Sequence, residues 1–413
     1  MKILVTLEEH LWRVPEGQVY TQGPADYSAW SELLNIFDEV ALLARVGKSR
    51  NPSAEQNRID GPSVSVHELP DYNGPWEHLQ KSSSLRTSAQ QALAQCDVYL
   101  LRAPGLVARL AWQELRRTKK IFAVQAVGDP SDALSTGTIH SVFRRLYRHV
   151  AVRDMRHMCE QANAVLYCSK NRLPQLYPPG KDSYSASSPW VILTEGYASS
   201  ELMAERRLRI DEMIPSNGDQ PPPLRLGFIG SFAQLYKGAD TLLRAASLCS
   251  QKGLEYKIFF VGEGRYRGAM QSLAADLAIQ EKTVFVGQLG FGKPVFDFLD
   301  SVDLFLMPSR AEAFGRALLE AMSRGCPCIG SNVGGIPEML GPEDLVPPND
   351  HKALARKIME VTGHPQRMKN MSDRNLAKAK QFDPEVLRDV RRAFYRYVRD
   401  HSGNNEKLGR EAR

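Results

Sequence analysis

Short apolar runs recur along the first half of this chain, each followed by a stretch of helical character. They are Lys2 to Thr6, Val40 to Ala44, Ser63 to His67, Asp97 to Leu101, Lys120 to Val124 and Ala164 to Cys168. Runs of Val, Ile, Leu and Tyr at that length, alternating with helices, predict parallel strands covered on both faces. A chain patterned this way builds a doubly wound α/β domain. Val191 to Thr194 reads as the last strand of that domain.

The polar, proline-rich stretch from Ile214 to Leu224 interrupts the pattern and reads as a linker. Beyond it the alternation resumes: strands at Arg225 to Ile229, Tyr256 to Val261, Thr283 to Val286, Asp303 to Leu306 and Cys328 to Ser331, with a helix from Asp240 to Gln251. Near the end, Pro384 to Arg399 reads as an amphipathic helix burying Val386, Val390, Phe394 and Tyr397. The expected division is a first domain at 1–205, a linker at 206–223, a second domain at 224–380, a terminal helix at 381–400 and a disordered tail at 401–413.

At 413 residues and 43% hydrophobic content the chain is large enough for two packed cores. The formal charge of +6 comes from Lys and Arg scattered among acids, which permits an anionic partner without naming one. Met1 to Thr6 is too short for a signal peptide, and no later segment approaches about 20 apolar residues. A cytosolic location is therefore expected. The six dispersed cysteines lack zinc-ribbon pairing and read as reduced core thiols, so no metal is expected.

The stretch Met307 to Gly325 carries the chemistry. A strand runs into a loop ending near Gly315, and a helix follows until Gly325. Unpaired N–H groups and the positive helix dipole make such an N-terminus an anion site. Glu312 lies in the loop, and at helical rise Glu320 lies about 12 Å further along and about 80° round the axis. Carboxylates so placed suit two hydroxyl-bearing parts of one elongated ligand. The plainer reading is a helix-start acid and a solvated helix residue.

Pro308-Ser309, Glu312, Phe314-Gly315 and Glu320 resemble the E-x7-E region of retaining GT-B glycosyltransferases of family 4. Gly230, Lys237-Gly238, Val261-Gly262-Glu263-Gly264 and Gly334-Gly335-Ile336-Pro337-Glu338 match in the family's order, over roughly Leu224 to Glu360. The resemblance implies two Rossmann-like doubly wound domains facing across a cleft, with the final helix crossing back to the first domain. It implies a nucleotide-sugar co-substrate, an acceptor held mainly by the first domain, and no metal. Glu312 would meet donor sugar hydroxyls, Glu320 the ribose and Lys237 the diphosphate. Phe314, Gly315, Gly230 and Gly262 would frame the donor, and Gly17, in the loop after the first strand, would approach its phosphates.

Two positions depart from the family. Ser231 stands where an arginine next to Gly230 is expected, and Arg310 or Arg316 is the candidate replacement for that cation. Asp129 stands where many relatives carry a catalytic His, with His140 downstream; an Asp before Pro130 is also an ordinary turn residue. The rival readings are a GT-B epimerase and a degenerate binding protein that keeps the fold.

Between Ile139 and Arg153 the apolar set Ile139, Val142, Phe143, Leu146, Tyr147 and Val150 has helical spacing, with Arg144, Arg145, Arg148 and Arg153 elsewhere on the circumference. This reads either as a core helix with a solvated basic face or as a contact with anionic lipid or a diphosphate-bearing acceptor, which Arg116, Arg117, Lys119 and Lys120 would extend. Peripheral attachment to the inner membrane face and polysaccharide assembly follow from family analogy. Nucleic acid is not an expected partner.

Overall fold

The computed structural model describes residues 1–21, 26–48, 57–72, 74–133, 144–189, 193, 195–213, 221–290 and 292–402. The chain divides into two compact units: Met1–Pro130, Arg148–Ser188 and Arg388–Arg413 form the first, Ser131–Tyr147 and Pro189–Leu387 the second.

Among the described residues of the first unit, nine strands form one sheet. They are β1 (Lys2–Arg13), β2 (Val19–Thr21), β3 (Glu39–Lys48), β4 (Asn57–Arg58), β5 (Val64–Pro70), β6 (Val98–Ala103), β7 (Ala123–Ala126), β8 (Ala164–Tyr167) and β9 (Tyr184–Ser187). The parallel part runs β5-β3-β1-β6-β7-β8-β9, and β2 and β4 add antiparallel pairs at the end of β1. Strands buried on both faces split their side chains between two cores. Leu4 joins Leu43, Leu101, Val124 and Val165 beneath the helices Ser82–Ala94 and Leu106–Thr118. Ile3 and Val5 point the other way, toward Val40, Leu42, Val98 and Phe394.

Among the described residues of the second unit are six parallel strands: β10 (Leu224–Ile229), β11 (Tyr256–Val261), β12 (Thr283–Gly287), β13 (Leu304–Met307), β14 (Cys328–Ser331) and β15 (Leu345–Val346). Their order is β12-β11-β10-β13-β14-β15. Each sheet reverses its winding once, between β1 and β6 in the first and between β10 and β13 in the second. At such a switch point the loops leaving two neighbouring strands diverge to opposite faces and open a crevice.

Several expectations change. The segment after the first strand is a hairpin rather than a phosphate loop, because β1 continues to Arg13 and pairs with β2. The helix Ser200–Glu212 lies inside the second unit, not at the end of the first domain, because the fully buried Arg206 donates to the carbonyls of Leu299 and Val302. The sheet of the first unit ends at β9, which the sequence reading missed; three residues of the strand expected at Val191 to Thr194 fall outside the described ones. The final helix, Pro384–His401, buries Leu387, Arg391, Phe394, Tyr395 and Val398 and leaves Val386 60% exposed. Its inward stripe is turned because Arg391 reaches Glu32 at 2.6 Å and draws the helix face with it. The tail beyond Ser402 lies outside the described residues.

Candidate functional site

In the second unit the crevice between β10 and β13 collects most of the expected residues. Lys237 ends a short turn, Leu235–Lys237, after β10, and Glu312 lies in the loop after β13. Lys237 Nζ donates to Glu312 Oε2 at 2.6 Å, and Ser309 donates to the same oxygen at 3.3 Å. Both side chains are largely buried, with 19% and 10% of their surface exposed. Burial opposes the Lys237 charge, but the Glu312 carboxylate outweighs it and holds the ammonium above its ordinary pKa.

Two loops fix this pair. The main chain of Gly335 donates to the Glu312 carbonyl at 3.3 Å, and a Cβ on Gly334 would sit 1.4 Å from that carbonyl oxygen. Any side chain at Gly334 would therefore push the Glu312 loop away. Arg310 secures the other side: it bonds Asp240 at 2.6 Å and Thr241 at 3.1 Å, and it also reaches Asn349 and the Leu235 carbonyl. Its guanidinium thus staples the Lys237 turn to the loop of Glu312. Of the two candidate replacement cations, Arg310 is committed to this scaffold.

Arg316 is the other, and it differs. It is exposed at the start of the helix Arg316–Ser323, whose N-cap, Gly315, supplies no side-chain cap. Its charge acts on both Lys237 and Glu320. Burial raises the Glu320 pKa, and Arg316 partly offsets the rise. An uncapped helix start, two cations and two carboxylates converge here, which suits a ligand carrying both phosphate and hydroxyl groups.

The remaining expected residues have other surroundings. Phe314 is 6% exposed and packs edge-on against Phe382 at 5.4 Å, so its ring belongs to the core. Ser231 accepts from Ala233 N at 3.1 Å and so shapes its own turn. A Cβ on Gly262 would lie 2.1 Å from the Gly230 carbonyl, so these glycines serve first to let two strand-end loops touch. Gly17 sits in the β1–β2 turn of the first unit, where its carbonyl accepts from Arg13. Asp129 is buried, with Tyr177 at 2.6 Å and Arg172 at 3.3 Å on its carboxylate. Those bonds give it a structural task rather than a sugar-facing one. His140 lies outside the described residues. Ser309, which the sequence reading named in the motif without a role, contributes by donating to Glu312 three residues on.

The basic helix also differs from expectation. Ile139, Val142 and Phe143 of the expected apolar face lie outside the described residues; the described helix spans Arg144–Gln161, and its buried residues are Asp154, Met155, Met158 and Cys159, while Leu146 is 59% and Tyr147 40% exposed. Of the basic residues after Glu114, Lys120 turns inward to the Leu93 carbonyl at 3.2 Å. None of the six cysteines is in a disulfide, and no group of metal-ligating side chains occurs among the described residues. No helix among them is long and apolar enough to cross a membrane.

Comparison with known proteins follows the same outline. Residues 210–377 match the family Glycosyl transferases group 1. Protein CapJ of Staphylococcus aureus is 23% identical over 80% of this chain and 79% of its own length. N-acetyl-alpha-D-glucosaminyl L-malate synthase of Bacillus anthracis is 29% identical, over 42% of this chain and less than half of its own length. Among solved structures, sucrose-phosphate synthase of Thermosynechococcus elongatus superposes with a TM-score of 0.68 at 16% identity, covering 96% of this chain and 99% of that one. HepE of Anabaena, in complex with UDP and glucose, gives 0.64 at 16% identity over 94% and 97%. With the ordered motifs, the matched region and the shared architecture in agreement, the chain has the GT-B fold and carries over residues 210–377 the pattern of the group 1 glycosyltransferases.

Proposed function

We propose that this glycosyltransferase takes its sugar from a nucleotide-sugar donor, holds that donor in the crevice between β10 and β13, and transfers to an acceptor hydroxyl with retention and without a metal. The observation that carries the reading is the buried Lys237–Glu312 pair beside an uncapped helix start. A diphosphate entering there competes with Glu312 for Lys237. As the ammonium turns to the phosphate, the carboxylate is released to accept from hydroxyls of the donor sugar.

Arg316 supplies the second positive charge to the leaving diphosphate, in the place that Ser231 leaves without a cation. Glu320 accepts from the ribose hydroxyls. Breaking the sugar–phosphate bond puts negative charge on the departing oxygen, and preorganised cations lower that barrier. The acceptor oxygen then attacks from the side the diphosphate leaves. A lipid-linked acceptor and a place in polysaccharide assembly fit the basic, partly apolar surface of the helix Arg144–Gln161, and that surface also suits peripheral contact with an anionic membrane.

The test is a panel of UDP- and GDP-sugars with the pure protein in EDTA, reading melting temperature, nucleotide release and product anomer by NMR. Binding of one nucleotide class with slow release, lost in Glu312→Gln, supports the reading. Donor conversion without any acceptor identifies an epimerase instead. No binding and no turnover indicates a fold that has lost transfer.

A further inference from the structure

We propose that the groove between the helices Leu106–Thr118 and Arg144–Gln161 in the first unit is a second ligand site, built for a small phosphate-bearing group. It shares no residue with the proposed donor site, since Lys237, Glu312, Arg316 and Glu320 all belong to the second unit. Arg109, Trp112 and Arg116 repeat at helical spacing on one wall, and Arg153, His157 and Gln161 do so on the other. Between them is a cavity of about 260 Å³.

The charge there does not balance. Three arginines line the cavity against one carboxylate, Asp154, which leaves a formal +2 with His157 neutral. Asp154 is 3% exposed; it takes Arg109 Nε at 2.5 Å and Arg153 Nη2 at 3.2 Å. One carboxylate therefore fixes two guanidinium groups while using a single N–H of each. A guanidinium carries five N–H donors, so most of the donor capacity of both remains. Arg116 is held differently: it lies over the Trp112 ring at 4.8 Å, and Trp112 is itself pinned by its N–H to Gln161 at 3.2 Å.

Three guanidinium forks already oriented by these contacts lose less entropy on binding than free ones and match tetrahedral phosphate oxygens in pairs. A structural ion-pair network would pair its charges, whereas this one keeps two in excess. The cavity is smaller than the roughly 300–1,000 Å³ of ordinary small-molecule sites. It fits a phosphorylated head group or sugar phosphate rather than a whole nucleotide sugar. The source is either a lipid phosphate or a soluble phosphate ester, and the same arginines serve both.

The experiment compares the full chain with the double variant Arg116→Gln/Arg153→Gln. Arg109 is spared so that buried Asp154 keeps a partner. Arg244→Gln/Lys257→Gln, two exposed cations of the second unit, matches the loss of charge. Inorganic phosphate is titrated by calorimetry, and vesicles of phosphatidylcholine with and without phosphatidic acid are tested by co-sedimentation. The pocket variant is expected to lose at least about tenfold in affinity, the size of one charge-assisted hydrogen bond, while the charge control does not. Loss confined to vesicles identifies a lipid phosphate; loss with inorganic phosphate as well identifies a phosphate site open to soluble esters. Equal loss in the control, wild-type affinity in the pocket variant, or no binding of either probe by the wild type overturns the site. Circular dichroism and retained nucleotide binding show that the variants fold.

Discussion

The two units place a helix start at the same topological point and treat it in opposite ways. In the first, the helix Leu106–Thr118 leaves β6 beside β1; in the second, the helix Arg316–Ser323 leaves β13 beside β10. Pairing of β1 with β3 slips between Thr6 and His10, and Glu8 lies in that irregular stretch. Its carboxylate reaches the start of the first helix and accepts from Val107 N, with Leu106 and Ala108 N–H close by. Burial raises the Glu8 pKa, against the pull of these N–H groups and of Arg45. The second helix start has Gly315 as N-cap, no side-chain cap, and Lys237 and Arg316 close by. One anion site is thus filled from within the chain, and the other suits an incoming anion. The same backbone device therefore serves stability in one unit and, in the proposed function, donor binding in the other.

The sharpest break of this contrast comes from the pair in the second unit. Glu312→Gln should lower turnover by about 100-fold or more, the scale of a lost transition-state contact, with smaller loss of donor affinity. Lys237→Ala should cost a similar factor, and the double variant should fall well short of the product, because each partner alone leaves the other buried and unpaired. Steady-state kinetics on all three variants checks it. Additive effects would show that the two act separately.

Arg310 and Arg316 come next, because the structure gives them different tasks. Arg316→Ala should reduce turnover by about 10- to 100-fold through loss of diphosphate stabilisation, with little change in melting temperature. Arg310→Ala should lower melting temperature as well, since it unpairs Asp240 and frees the Lys237 turn. If Arg316→Ala keeps full activity, the leaving group is stabilised elsewhere.

In the first unit, Glu8→Ala should destabilise by roughly 1–3 kcal/mol, the cost of unmade buried hydrogen bonds. Formate should restore part of that loss, entering the place of the missing carboxylate. The same salt should do little for wild-type stability. Denaturant melts with and without formate read both effects, and an absence of rescue would mean that Glu8 acts by packing rather than as the internal anion.

Five of the six strands described in the second unit were legible because each is a short apolar run, and Tyr256–Val261 and Cys328–Ser331 fall where the pattern puts them, whereas the two-residue β15 was missed. Glu312, Glu320 and Lys237 were legible from spacing and resemblance. The use of Arg310 was not: its partners Asp240 and Asn349 are 70 and 39 positions away, and no local pattern records such pairing. Glu8 was hidden for a related reason. Its role depends on a register slip in β1, and a slip between paired strands leaves no mark in the composition of either one. Phe314 shows the reverse error, where a motif neighbour of the site proved to be its supporting core.

The smallest expected effect is on stability and concerns Glu320. Burial raises its folded-state pKa above the ordinary 4.5, so its ionised form is less welcome in the folded protein than in the unfolded chain. Folding stability from this group is therefore full below about pH 4.5 and declines as pH rises through the raised folded value. Glu320→Gln keeps the neutral form at every pH. At neutral pH the variant should melt slightly above wild type, by less than any shift above, and the gap should close as pH falls towards 4.5. The same variant should bind the donor more weakly, because Gln offers one uncharged acceptor oxygen where the carboxylate offers two charged ones. Paired melting and nucleotide-binding curves over that pH range measure both. A gap that widens on acidification would mean that Glu320 is stabilised as an anion and that Arg316, not burial, governs it.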